Sequence, residues 1–570
     1  MPLSPSVRFP LVLALSAACF LLAGCHAEST QPDQVTRSCT GDNGGLSLPP
    51  GFCASLFAEG LGHVRHLVVA ADGTVYANSQ PGNEEGEGGR SGLIVLRDTD
   101  SDGRADQVTR PHPSETGGTG IALHGGHVYL EDGDHVQRYP IDPGSHLPVG
   151  RGETILSGLA TDGDHRSHSI AISPDGALYV NSGSATNACQ KSNRQAGSPG
   201  NSPCEEKALR AGIWRYEAER QGQNFSPGER YASGIRNAVG LALDGQGRLF
   251  ATQHGRDQLH ENWGSLYDAE QGQNLPAEEL VEVTRGSDYG WPECYYDPNR
   301  KALVLAPEYG GDGGRALGPC AQRQAPVAAF PAHWAPNALV IYEGNQFPTA
   351  YRGGAFIAFH GSWNRAPGPQ GGFNIVFQPM KEGRASGAYV LFADGFAGPG
   401  KESGNAAHRP SGLAVGPDGA LYIGDDKAGR IWKITYMGNA AAAVAEAKPV
   451  LAGKAREAPA QKGASGALPP GVSAAMVERG RLIYSGAQGG ATCSGCHGPS
   501  GQGSEIAPRL SDQQWLWGNG SLAEIRDLIV KGVPKPRRHP APMPPYGGAQ
   551  LKPDEVDAVA AYVWSLSHKD

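Results

Sequence analysis

The sequence predicts an all-β chain, a six-bladed β-propeller, followed by a small all-α domain. One hairpin phrase recurs five times, glycine supplies 82 of 570 residues, and residues 473–570 carry helical spacing instead. The phrase reads Leu67-Val-Val-Ala-Ala-Asp-Gly73-Thr-Val-Tyr76, then returns at Ile121–Tyr129, Ile170–Tyr179, Leu241–Phe250 and Leu413–Tyr422. Each copy is a short apolar strand, a glycine turn and a second apolar strand. The turn glycines, at 73, 126, 176, 247 and 419, lie 53, 50, 71 and 172 residues apart. One unit therefore takes about fifty residues, two units carry insertions, and the last gap hides further copies. Strand repeats of this length make a propeller of six or seven blades, and six fits the spacing better. An irregular β-sandwich would not repeat one hairpin five times.

The C-terminal helices follow from caps and periodicity. The first runs from Ala475 to Ser485, with Gly480 and Tyr484 on one face to meet a partner helix. A second begins with the capping box Ser521-x-x-Glu524 and stops at Gly532. The third starts at Pro553 and repeats Val556, Val559, Ala560, Val563 and Leu566. Between the first two lies Cys493-Ser494-Gly495-Cys496-His497, a C-x-x-C-H that attaches haem c through both thiols, with His497 as an iron ligand. Met543, in Pro542-Met543-Pro544-Pro545-Tyr546, is the expected second iron ligand; His539, in a solvated basic run, is its rival. Residues 473–570 thus resemble a class I cytochrome c.

At the other end, Arg8 precedes an apolar run from Phe9 that ends in Leu22-Ala23-Gly24-Cys25. This looks like a bacterial lipoprotein signal over residues 1–24, with lipid on Cys25; a plain secretory signal is the alternative. The expectation is a periplasmic protein anchored to a membrane, the outer one slightly favoured because His26 rather than Asp follows the cysteine. Residues 25–38 would be a tether, 39–437 the propeller, and 438–472 an Ala-, Lys- and Pro-rich linker. Six cysteines remain after signal, lipid and haem, and sequence-local pairing is the simplest of their connectivities: Cys39 with Cys53, Cys189 with Cys204, Cys294 with Cys320. A net charge of -9 argues against nucleic acid.

The first strand of each propeller blade lines the central channel, so residues just ahead of it form a ring. His165 stands five residues before Ile170, Arg236 and Asn237 five and four before Leu241, Arg409 four before Leu413, and Arg65 two before Leu67. One polar residue there is usually a loop cap. A histidine with three arginines suits a flat polyanion carrying a carbonyl.

Five stretches then carry a family resemblance: His165-Arg-Ser-His-Ser-Ile170, Tyr231-Ala-Ser-Gly-Ile-Arg-Asn237, Gly286-Ser-Asp-Tyr-Gly-Trp-Pro292, His360-Gly-Ser-Trp-Asn-Arg365 and His408-Arg-Pro-Ser-Gly412. They are similar to the propeller quinoprotein sugar dehydrogenases that bind pyrroloquinoline quinone (PQQ), especially the L-sorbosone and pyranose dehydrogenase branch. The resemblance implies that His165 is the general base, that Arg236 and Asn237 grip the quinone oxygens, and that Arg409, Arg65 and Arg365 meet the PQQ carboxylates. It also implies a calcium ion on the backbone carbonyls of Gly255 and Arg256. Trp334 and Trp363 could stack near the ring or sugar, though packing is an equal reading for either. Where aldose-specific members orient the histidine with an aspartate, this chain has Ser184, and their cofactor lysine has no clear counterpart.

A separate run, Asp98-x-Asp100-x-Asp102-Gly103-x-x-Asp106, spaces carboxylates as in a calcium loop, but Thr109 occupies the place of the closing glutamate. A structural calcium or an empty acidic turn fits. The expected chain of events is oxidation of a sugar or sugar aldehyde in the propeller, then single-electron transfer to the haem and on to a soluble cytochrome or the respiratory chain. The competing readings are a non-catalytic sugar-binding propeller and a calcium-dependent lactonase.

Overall fold

In the computed structural model, the described residues are 39, 41–81, 91–365, 368–401, 404–438, 468–485, 493–498, 500–503, 507–539, 542–549 and 551–568. The expected signal at 1–24, the tether at 25–38 with Cys25, and positions 439–467 of the linker lie outside them.

All five hairpin phrases open a blade. They pair His63–Val69 with Val75–Gln80, Ile121–His124 with His127–Asp132, Ile170–Ile172 with Ala177–Ser182, Leu241–Leu243 with Leu249–Gln253, and Pro410–Val415 with Leu421–Asp425. Gly73, Gly126, Gly176, Gly247 and Gly419 turn these hairpins at φ of 90, 76, 86, 77 and 80°, the left-handed region where a Cβ is strained. The sixth blade hairpin pairs Pro336–Ile341 with Ala355–Phe359. It escapes the repeat because residues 342–354, including a short 3-10 turn at Thr349–Tyr351, replace the glycine turn. Blades of four or five strands result, and the ring closes where the early strand Phe52–Ala58 pairs with Ile431–Tyr436 of the last blade. Closure covers the outer edge that Ile431–Tyr436 would otherwise leave open. Phe52 seals it, its ring 4.8, 5.3 and 4.9 Å from those of Phe347, Tyr351 and Phe392.

The insertions are stapled. Cys189–Cys204, Cys294–Cys320 and Cys39–Cys53 form disulfides, as the local pairing expects. The first two close loops in the units with excess length.

In the C-terminal domain, helices span Ala474–Tyr484, Cys493–His497, Leu522–Lys531 and Pro553–Ser567. Gly480 lets the first and last cross closely, since an ideal Cβ there would fall 1.9 Å from the Ala558 carbonyl oxygen. Tyr484 meets Tyr562 edge-on at 5.1 Å. Ser521 caps the third helix on Glu524 N–H, and Gly532 ends it at φ 65°. Among the described residues no helix is long and apolar enough to cross a membrane.

Candidate functional site

A hairpin returns to the face it left, so the residues before its first strand and after its second share one end of the propeller. His165, Arg236, Asn237 and Arg409 precede first strands, and Arg65 lies in one; Ser184, Asp257, His360 and Asp426 follow or end second strands. The two sets interlock.

His165 is half-buried, with Nδ1 2.9 Å from the Ser184 carbonyl oxygen and 3.0 Å from Ser184 Oγ. The Ser184 hydroxyl donates its proton to the Thr186 carbonyl at 2.6 Å, so both oxygens facing Nδ1 are acceptors. Nδ1 therefore carries the hydrogen and Nε2 keeps a lone pair, the tautomer a general base requires. Burial, and then the charge of Arg236, push the imidazole well below the ordinary histidine range, so it is neutral at pH 7. Ser184 thus fixes the tautomer that an aspartate would also fix, without adding a negative charge. Gly183 leaves the room: an ideal Cβ would fall 2.5 Å from His165 Cβ and 2.9 Å from Asn237 Oδ1.

Arg236 is buried at 3 % exposure and bound on three sides. Nη2 donates to Asp257 Oδ2 at 2.8 Å and to Asn187 Oδ1 at 2.9 Å, Nε to the Asn187 carbonyl at 3.0 Å, and Nη1 to the Gly255 carbonyl at 2.8 Å. Asp257 Oδ2 also takes Arg194 Nη2 at 3.1 Å, and Asp257 Oδ1 takes Asn364 Nδ2 at 2.7 Å. Burial opposes the Asp257 charge, yet Arg236 and Arg194 hold its carboxyl well below the usual carboxylate range. A second cluster lies at the same end of the propeller. Asp426 takes Arg65 Nη1 on one oxygen and His360 Nε2, at 2.7 Å, on the other. Arg409 donates to the carbonyls of His360 and Gly361 at 3.1 and 2.9 Å.

Two sequence expectations need correction. Trp334 does not line the site: it packs with Phe330, Leu339 and Phe359 in the core, between His333 and Ala335 at φ 64 and 60°. Arg365 ties its own loop, Nη1 to the Pro369 carbonyl at 2.5 Å and Nη2 to Asn274 Oδ1 at 2.9 Å. In the acidic run, Asp98, Asp100 and Asp106 bring carboxylate oxygens within 4.8 Å of one another, and Asp102 Oδ1 accepts from Arg104 N–H at 2.8 Å. Trp363, by contrast, lies beside the cluster, 6.0 Å from the Arg194 guanidinium. Gly255 offers its carbonyl to Arg236, and the Arg256 side chain is held by Glu308.

Sequence reading missed Asp257, Arg194, Asn187, His360 and Asp426 as site residues. The same-face rule would have found those after second strands.

The residues present suit a flat, oxygen-rich anion. One N–H of Arg236 Nη1 is uncommitted among the described bonds, and the cluster concentrates guanidinium groups at one end of the propeller; the buried, unpartnered Asn237 Oδ1 is an acceptor and calls for a donor or a cation beside them.

The C-terminal domain holds a different kind of site, an apolar cleft with about 1130 Å³ of empty space, part of it open to solvent. Cys493, Cys496, His497, Met543, Val559 and Val563 line it, as does His539. His497 Nδ1 donates to the Pro508 carbonyl at 2.8 Å, which leaves Nε2 for a metal, and burial pushes the imidazole down to about 4. Met543 is pinned by a two-way backbone bridge to Val533, at 2.8 and 3.0 Å. This donor set fits a covalent haem.

Comparison with known proteins agrees with both halves. Residues 46–437 match the TrAA12-like family and residues 477–567 match cytochrome c. The C-terminal part is 37% identical over 92 residues to the cbb3-type cytochrome c oxidase subunit FixP of a Bradyrhizobium species, covering 16% of this chain and 30% of that protein. An uncharacterized protein of Borreliella burgdorferi is 28% identical over 211 residues, 36% of this chain and 49% of its own. The chain thus spans about half or less of these curated relatives. Among solved structures, the holo pyranose dehydrogenase PQQ domain from Coprinopsis cinerea has a TM-score of 0.55 at 20% identity, covering 68% of this chain and 97% of that one. The calcium structure of the Trichoderma reesei family AA12 enzyme matches at 0.55 and 19%, covering 69% and 97%. At these identities the likeness concerns the fold. The chain belongs to the TrAA12-like family, a propeller of the PQQ-dependent sugar dehydrogenase type fused here to a cytochrome c domain.

Proposed function

We propose that this protein is a quinohaemoprotein dehydrogenase that oxidises a sugar or sugar aldehyde, of the aldose or sorbosone kind, and passes electrons through haem c to a soluble cytochrome or the respiratory chain. PQQ, when bound, supplies the two-electron acceptor. His165 Nε2 takes the substrate hydroxyl proton, its direction set by the Nδ1 hydrogen bonds to Ser184. Arg236 and Asn237 would hold the oxygens of that acceptor and supply the charge that stabilises them, and the pairing of Arg236 with Asp257 fixes the guanidinium before substrate arrives. Arg409 and Arg65 would meet carboxylates of the cofactor, and the carbonyls of Gly255 and Arg256 would hold a calcium ion there. Asp98, Asp100 and Asp106 would hold a separate, structural calcium. Lipid on Cys25 would anchor the protein in the periplasm, with the outer membrane favoured.

The observation that carries this reading is the fixed base tautomer of His165 beside a buried arginine cluster, in a chain that also builds a haem cleft. Dye-linked oxidation by the PQQ- and calcium-loaded protein, measured across aldoses, ketoaldehydes and polyols, tests it. Turnover that requires PQQ supports the reading. No turnover on any of them, with PQQ failing to bind in a calorimeter, would favour a binding propeller.

A further inference from the structure

The two halves touch at a rigid seat. The loop closed by Cys189–Cys204 is braced by Asn201 N–H to the Cys189 carbonyl at 2.8 Å, Lys191 N–H to the Pro199 carbonyl at 2.9 Å, and Arg194 N–H to Gln190 Oε1 at 2.9 Å. From this loop the exposed Ala196 donates its N–H to the Gly548 carbonyl of the cytochrome domain at 3.0 Å. Gly548 must lack a side chain to sit there, because an ideal Cβ would fall 2.8 Å from the Arg194 carbonyl oxygen and its φ is +81°. A second contact lies at Gly404, where an ideal Cβ would fall 2.8 Å from Gln502 Cγ and 3.1 Å from Gln502 Cβ.

Each end of the seat leads to a reactive site. Gly548 closes the turn Pro545–Gly548 just after Met543, and its neighbour Gly547 lines the haem cleft. On the propeller side Arg194 reaches Asp164 Oδ2 at 2.9 Å, Asp257 Oδ2 at 3.1 Å and Gln258 Oε1 at 3.2 Å. Asp257 is the carboxylate that also holds Arg236.

Resting on the function proposed above, we infer that the Cys189–Cys204 loop and Gly404 form the docking surface on which this chain's own cytochrome domain receives electrons. Oxidation of one substrate C–H–O–H unit to a carbonyl releases two electrons and two protons. The electrons leave the loaded propeller one at a time across this seat, each reducing ferric haem to ferrous. The haem returns each electron to an external one-electron acceptor before taking the next, and the protons pass to solvent.

The test uses the full-length holoprotein in three forms. In Gly404→Cys/Gln502→Cys the two Cβ atoms would lie close to the roughly 3.5–4.5 Å of a disulfide. We expect an intrachain cross-link, read by peptide mass, whose yield is independent of protein concentration, with sugar-driven haem reduction kept. Gly404→Trp wedges the second contact, and Ala196→Pro removes the N–H given to Gly548. Each is expected to slow sugar-driven haem reduction at least tenfold while a small dye still accepts electrons from the propeller at the unmodified rate. No cross-link, or unchanged haem reduction in both single variants, would overturn the seat. Absence of PQQ-dependent dye reduction in the unmodified protein would instead sink the functional reading, and this inference with it.

Discussion

The propeller and the cytochrome domain build their sites by opposite routes. The propeller gathers charged groups from positions as distant as Arg65 and Asp426, whose ion pair bridges the first and last blades. The cytochrome domain closes an apolar cleft from residues between Tyr484 and Val563, local in sequence and shaped by helix crossings such as Gly480 on Ala558. Burial makes an unpaired charge costly, so the first site keeps its order only while every partner is present. The second depends on shape and on a covalent cofactor. Removing one group should therefore damage the two sites differently.

The largest expected effect is on chemistry in the propeller. His165→Ala should cut sugar-driven haem reduction by about 10²–10⁴-fold, the usual worth of a general base, with the haem spectrum unchanged. Asp257→Asn strips two buried guanidiniums of their shared carboxylate, at a cost of about 3–5 kcal/mol. Calorimetry should show the propeller transition fall while the Soret band stays put; an unchanged propeller transition would mean the pairing is not structural. Met543→Ala should shift the visible haem spectrum and potential, and an unaltered spectrum would assign the iron ligand to His539. A pH profile sharpens the contrast further. The His165 imidazole is depressed in the fold, so it works as a base through neutrality, and kcat/KM should fall only as pH drops through a value below the ordinary histidine range. The same shift means its contribution to stability is present above about pH 6.5 and lost on acidification. An acid limb at or above 6.5 would contradict the burial of this group. The smallest effect belongs to Ser184→Ala, which keeps the backbone acceptor for Nδ1 and loses one hydroxyl contact, worth about 0.5–1.5 kcal/mol in the barrier.

Legibility in the sequence followed the same divide. In the cytochrome domain the haem motif, the caps at Ser521 and Gly532 and the tight crossing at Gly480 are all local, and the three expected helices begin within a residue or so of their expected starts; the short helix Cys493–His497 was not expected. Five propeller hairpins were legible because a glycine at positive φ repeats between apolar strands; the sixth was hidden by the long connection at 342–354. The histidine and arginines ahead of first strands could be read from spacing. Arg194 could not, because a lone arginine in a glycine-rich loop has no period; Asp257 and Asp426 could be placed on that face by their position after second strands, but only the fold shows which charges they meet. Trp334 and Arg365 stand near motif residues in sequence yet turn into the core and into their own loop.

The most direct test of the account is anaerobic stopped-flow absorbance at the reduced-haem band after sugar is mixed with the oxidised, PQQ- and calcium-loaded protein. The account predicts haem reduction that needs PQQ and that slows by about 10²–10⁴-fold in His165→Ala although dithionite still reduces its haem. Equal haem reduction without PQQ, or with alanine at 165, would contradict it.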